Sequence, residues 1–174
     1  MAEVKGKFIT LAGMLMGLYE KNQKNADEIL FQAVGKRFRE LNPEGWYDTK
    51  LFNIFMEEYA LGSLSGKNAI ITLGRNVYPL IKRNGGIPED IKTPLDLLLF
   101  EAKGFELNHR GDDVQQRKFI KQEEGLVVVQ APAPGYNQKL YEGVYLGILE
   151  IFGIKTGKVV MTKDAPEFEY EITW

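Results

Sequence analysis

A chain of 174 residues, 44% hydrophobic and 26% charged, is long enough to bury a core of its own, and it predicts a single domain spanning residues 1–174. A net charge of -2 and a pI near 5.6 speak against a nucleic-acid footprint, which needs clustered positive charge. The absence of cysteine excludes disulfides, thiol catalysis and cysteine-bound zinc, and it fits a cytoplasmic protein.

In chain order, the first element is the apolar segment from Phe8 to Tyr19, preceded by Lys5 and Lys7. It predicts a core helix rather than a signal peptide, because Glu20 and Lys21 follow it with no cleavage-site pattern. No apolar run anywhere reaches the roughly 18 residues of a membrane span. Asn25 with Glu28 three residues on reads as a helix cap, followed by a stripe of Ala26, Ile29, Leu30, Ala33, Val34, Phe38 and Leu41. Asn42-Pro43-Glu44-Gly45 stops that helix.

A third helix is predicted from about Asp48 to Ala60, with Leu51, Phe52, Phe55 and Tyr59 inward. A fourth spans about Lys67 to Arg83, and Pro79 predicts a kink or an early end, since it has no N–H to donate. Thr93-Pro94-Leu95-Asp96 is a helix start, with Thr93 as cap and Pro94 at the first helical position. This helix is expected to end near Gly104, and the polar residues 105–117 to form a loop.

Strands are expected at Lys118–Gln122 and Leu126–Gln130 around Glu123-Glu124-Gly125. A last helix, about Asn137 to Phe152, buries Leu140, Tyr141, Val144, Tyr145, Ile148, Ile151 and Phe152, with Gly153 as its left-handed cap. A strand over Lys158–Thr162 follows. Residues 167–174 then alternate Phe168, Tyr170, Ile172 and Trp174 against Glu167, Glu169, Glu171 and Thr173. Helices first and strands later predict an α+β fold. A helical layer packs on an antiparallel sheet and ends in a strand–helix–hairpin unit.

The catalytic inventory is thin. His109 is the only histidine, so a histidine-rich metal site is excluded. Its polar surroundings, Leu107-Asn-His-Arg-Gly111, predict a solvent-exposed side chain, with a general base or an axial haem ligand as the functional alternatives. Asp112-Asp113 lacks the spacing of a calcium loop, and Asn84-Gly85-Gly86 follows a helix, the wrong context for a phosphate loop. Glu57-Glu58, Glu123-Glu124 and the Glu167/Glu169/Glu171 face read as solvated surface. Neither Ser63 nor Ser65 lies in an elbow motif, so no catalytic residues and no metal ligands are assigned.

Aromatic residues are more informative. Trp46, Phe52, Phe55, Tyr59, Tyr78, Phe100, Tyr141 and Tyr145 fall on inward stripes or at their edges. Three of them, Tyr78, Tyr141 and Tyr145, bring hydroxyls to apolar faces, where a hydroxyl needs a partner. Either they bond to the backbone of an ordinary core, or they orient a small molecule in an apolar pocket. Gly143-Val-Tyr-Leu-Gly147 admits either a close-packed helix or room for a ligand.

Three blocks then point to a family. They are Gly125-Leu-Val-Val-Val, Tyr141-Glu-Gly-Val-Tyr-Leu-Gly-Ile-Leu-Glu-Ile-Phe-Gly153 and Phe168-Glu-Tyr-Glu-Ile-Thr-Trp174. Together they resemble the 4-vinyl reductase domain family. A similar topology belongs to the haem–nitric oxide binding domains and to the subunits of the TRAPP vesicle-tethering particle. Leu73-Gly-Arg-Asn-Val-Tyr78 resembles a middle-helix segment of the same group.

The resemblance implies a cytosolic, often dimeric sensor module that holds a hydrophobic or aromatic ligand between helices and sheet. No catalysis is expected for want of a candidate residue set, and no contact with nucleic acid is expected from the charge. Applied to this chain, it implies a lining of Val77, Tyr78, Ile81, Phe100, Tyr141, Tyr145 and Leu149, with Tyr78 and Tyr145 orienting the ligand. Two departures stand out. The cysteines that bind zinc in some members are missing. The haem branch has a histidine on the helix before the sheet, whereas here Pro94 to Lys103 has none and His109 lies after it. The Tyr-x-Ser-x-Arg pattern that holds haem propionates is replaced by Pro134-Gly-Tyr-Asn-Gln-Lys. No cofactor is expected, and haem sensing and a ligand-free homodimeric scaffold remain the alternatives.

Overall fold

The computed structural model describes residues 1–174. Its seven α-helices are α1 (Gly6–Leu15), α2 (Glu20–Val34), α3 (Thr49–Gly62), α4 (Ala69–Arg75), α5 (Val77–Arg83), α6 (Pro94–Asn108) and α7 (Lys139–Ile151). The strands β1 (Glu3–Lys5), β2 (Trp46–Asp48) and β3 (His109–Arg110) form one small antiparallel sheet in the order β2-β1-β3. The strands β4 (Lys118–Glu123), β5 (Leu126–Gln130), β6 (Lys158–Lys163) and β7 (Glu169–Thr173) form a second, in the order β4-β5-β7-β6. The architecture is α+β, with all pairings antiparallel. No helix is long and apolar enough to cross a membrane.

Local chemistry explains most boundaries. Thr93 and Asp96 form a reciprocal capping box at the start of α6, with Pro94 inside the first turn. Asp48 caps α3 by accepting from the Lys50 amide. The predicted fourth helix is two helices broken at Asn76. Pro79 therefore lies in the first turn of α5, where a missing N–H costs nothing. Gly153, at φ 77°, ends α7, and the Ile154 amide donates back to the Leu149 carbonyl.

Several expectations are corrected. Asn25 caps nothing: α2 starts five residues earlier, and the Asn25 amide donates to Glu58 instead. Gly35, at φ 69°, ends α2, so Phe38 and Leu41 reach the core from the segment beyond it. Ile29 faces outward. Gly104 does not stop α6, which runs on to Asn108. Residues 109–110 are not loop but β3, with His109 paired to Val4. Glu169 is not a solvated carboxylate: it is 7% exposed and accepts from Lys163, Thr162 and Gln130.

The core centres on α7. Its face of Tyr145, Ile148 and Leu149 is buried in the direction of the larger sheet, where Tyr145 meets Tyr170 edge-on at 5.6 Å. The opposite side is occupied by α4. A Cβ on Gly143 would lie 2.0 Å from the Ile71 carbonyl oxygen, and one on Gly147 would lie 2.4 Å from that of Arg75. Gly74 of α4 is equally tight, with the Leu140 carbonyl 2.1 Å from its would-be Cβ. The two glycines of α7 thus admit a neighbouring backbone, not a ligand. Gly143→Ala is expected to lower stability by about 1–3 kcal/mol, read as a reduced urea midpoint, although alanine is the better helix former by up to about 1 kcal/mol.

Candidate functional site

Helix α6 turns one face inward through Leu97, Leu98, Glu101, Phe105 and Asn108. A carboxylate on such a stripe needs a partner. Arg117 supplies it from the segment before β4: Nη2 donates to Glu101 Oε1 at 3.2 Å, and Nη1 donates to the Pro132 carbonyl at 3.3 Å. The Arg117 side chain is 1% exposed. Its guanidinium lies 3.6 Å from the Phe105 ring centroid and 4.0 Å from that of Tyr141. Burial opposes its charge, but Glu101 and the surrounding tyrosines keep it firmly protonated. Its Nε has no partner.

Next to this pair runs a directional chain of hydrogen bonds. The carbonyl of Phe105 can only accept, so His109 Nδ1 carries the proton and donates to it at 3.1 Å. Nε2 is then an acceptor, and Tyr136 donates to it at 3.1 Å. Tyr136 has one proton to give, so in its short contact with Tyr141 it is the acceptor and Tyr141 the donor. Burial pushes the His109 imidazole down to about 3, further lowered by Arg117 and partly offset by the Phe105 carbonyl. Burial raises the Tyr136 and Tyr141 phenols above their ordinary value. His109 is thus a neutral buried histidine, not the exposed side chain that its polar neighbours predicted.

Glu101, Phe105, His109, Tyr136 and Tyr141 form one end of a cavity of about 420 Å³. Its walls come from α1 (Phe8, Leu11, Ala12, Leu15), α3 (Phe52), α4 (Leu73), α5 (Val77, Tyr78, Ile81), α6 (Phe100, Glu101, Gly104, Phe105, Asn108) and α7 (Leu140, Tyr141, Val144). His109 and Tyr136 complete it, and the exposed Lys7 and Gly86 stand at its rim. Fifteen of the 21 lining residues are hydrophobic, so the surface is apolar except at the end facing α6. The volume is in the range of small-molecule sites.

Of the residues expected to line a pocket, Val77, Tyr78, Ile81, Phe100 and Tyr141 meet around this cavity. Tyr145 and Leu149 do not: they sit on the other face of α7, and the Tyr145 hydroxyl is buried without a partner. The cavity also lies among helices, not between helices and sheet, because the larger sheet contributes no wall residue. Glu101, Arg117 and Tyr136 are not among the residues the sequence singles out, and His109 is expected there to be exposed, since Arg117 and His109 lie in a polar stretch that reads as a loop. The available signal was Glu101, four residues from both Leu97 and Phe105 on one helical stripe.

Haem does not fit the groups present. Both His109 ring nitrogens are engaged, one by the Phe105 carbonyl and the other by the Tyr136 hydroxyl. The single buried cation is committed to Glu101, and the Glu101 carboxylate lines the cavity where propionates would add negative charge.

No family model matches the chain, and no curated protein does. Among solved structures, the Fe(II) unliganded H-NOX protein from K. algicida, crystallised as a point mutant, matches with a TM-score of 0.67 at 13% identity. The match covers 97% of this chain and 94% of that one. The chain therefore has the haem–nitric oxide binding-like α+β fold over nearly its whole length.

Proposed function

We propose that this chain is a single non-catalytic domain that binds a small, mainly apolar or aromatic molecule in the cavity between α1, α5, α6 and α7, as a sensor or carrier. The observation behind this reading is an apolar cavity of about 420 Å³ with one polar end whose groups are already ordered. Val77, Tyr78, Ile81, Phe100 and Tyr141 are its contacts. Binding over catalysis is supported by His109, whose ring nitrogens are both hydrogen-bonded, and by the cavity tyrosines, whose phenols burial raises above their ordinary value.

Gly104 offers a clean test. A Cβ there would meet nothing within 4 Å, and the residue lines the cavity from the interior of α6. Gly104→Leu should take up part of the cavity and weaken retention of small aromatic probes in native mass spectrometry. Its stability should be unchanged or raised by up to about 1 kcal/mol, since glycine is a poor helix former. A variant that retains the probes undiminished would remove this cavity as their site.

Haem-based gas sensing is the second reading, favoured by the fold of the H-NOX protein alone. The engaged His109 predicts that added haem produces no Soret band that is lost in His109→Ala. A band of that kind would reinstate His109 as an axial ligand.

A further inference from the structure

The polar end of the cavity carries acceptors that no protein group satisfies. Glu101, 6% exposed, accepts from Arg117 through Oε1 only, and Oε2 takes no hydrogen bond from the protein. Asn108, 9% exposed, donates its amide to the Gly104 carbonyl at 2.5 Å, which leaves its side-chain oxygen unmatched. Tyr78 is 7% exposed, and its hydroxyl makes no hydrogen bond within the protein. All three line the cavity. Each belongs to a mostly buried residue, has no partner within the protein and faces whatever occupies the cavity.

Charge restricts what can enter. Arg117 and Glu101 cancel, and His109 is neutral, so the buried set has no net charge. An anionic ligand would face the Glu101 carboxylate with no free cation inside, since Arg117 is paired and Lys7 at the rim is turned to Glu44. A cationic ligand would leave the buried set with excess positive charge beside Arg117. A neutral molecule with a hydrogen-bond donor satisfies the acceptors at no electrostatic cost. The walls of Phe8, Phe52, Phe100 and Phe105 favour an aromatic body.

We infer that the cavity takes a neutral aromatic molecule bearing an N–H or O–H donor, of the indole or phenol class, with Glu101 Oε2 accepting from that donor. The inference rests on the binding reading above and specifies its ligand. Tyr78 and the Asn108 oxygen serve as secondary partners, and Arg117 holds Glu101 in place.

The experiment compares three probes by isothermal titration with the full chain: indole, 1-benzofuran and indole-3-carboxylate. The first two are near-isosteres that differ in the N–H donor, and the third adds a negative charge. Indole is expected to bind at least about tenfold more tightly than either of the others, because a buried acceptor left unpaired costs at least about one hydrogen bond. Gly104→Leu should weaken indole binding, which locates it. Paired replacement of Glu101→Leu with Arg117→Met should remove the preference for indole over benzofuran. Tyr78→Phe, which breaks no existing hydrogen bond, should weaken indole selectively and serves if the paired variant does not fold. Equal binding of all three probes to the unaltered chain would overturn the inference and leave an apolar binding cavity. Tighter binding of benzofuran or the carboxylate would overturn it in favour of acceptor or anion recognition. Binding of none would overturn both it and the function on which it rests.

Discussion

Arg117→Met is expected to destabilise the protein by about 3–5 kcal/mol, because it strands the Glu101 carboxylate in an apolar interior. The ion pair lies between α6 and the segment entering β4, with one partner 1% and the other 7% exposed at the side chain. The guanidinium also lies against the faces of Phe105 and Tyr141, and that contact is lost as well. Replacing both charges together, Glu101→Leu with Arg117→Met, should recover most of the loss, since two well-packed apolar side chains can match a buried pair in stability. Urea unfolding of the two single variants and the paired one gives the coupling directly. A loss below about 1 kcal/mol for Arg117→Met would mean that the pair is solvated like a surface bridge.

Acid should destabilise the fold through His109. Its folded-state value is about 3, below the ordinary 6.5, because burial and Arg117 disfavour the imidazolium. The unfolded chain therefore takes up the proton first. The contribution of neutral His109 is fully present above about 6.5 and declines as the pH falls towards 3. The expected slope is about 1.4 kcal/mol per pH unit, or about 2 kcal/mol between roughly pH 7 and pH 5. His109→Gln, which does not titrate, should flatten the curve over that interval. Glu44, Asp96, Glu150 and Glu169 are held below their ordinary values by hydrogen bonds from Lys5, Thr93, Arg75 and Lys163, so their contributions fall away only at lower pH. A curve as steep in His109→Gln as in the unaltered chain would show that His109 is accessible to protons in the folded state.

The same geometry gives the chain a different character from a haem protein of similar fold. The histidine nearest the cavity is held as a hydrogen-bond acceptor by Tyr136, and the single buried cation is neutralised by Glu101. What remains open is a shaped apolar space with unmatched acceptors. On the binding proposed above, that arrangement would select by polarity and shape, not by coordination chemistry.

Periodicity and capping in the sequence determined α3, α6, α7, the β4–β5 hairpin, the alternation of β7 and hence the α+β class. Those elements are set by interactions within a few residues: Asp48 with Lys50, Thr93 with Asp96, and Gly153 at its positive φ. The apolar faces that would meet Val77, Tyr78, Ile81, Phe100 and Tyr141 were legible for the same reason. That Tyr145 and Leu149 lie outside that cavity was not legible, because an apolar stripe on α7 does not reveal which edge meets α6 and which meets the sheet.

Only the tertiary structure decided the polar end of the cavity. The three-stranded sheet that buries His109 joins residues 3–5, 46–48 and 109–110, strands too short to register as a pattern. The Arg117–Glu101 pair and the Tyr141–Tyr136–His109 chain also depend on contacts between separate segments. A polar residue looks alike in sequence whether it faces water or a buried partner; the long-range packing that removes the water is what turns it into part of a site.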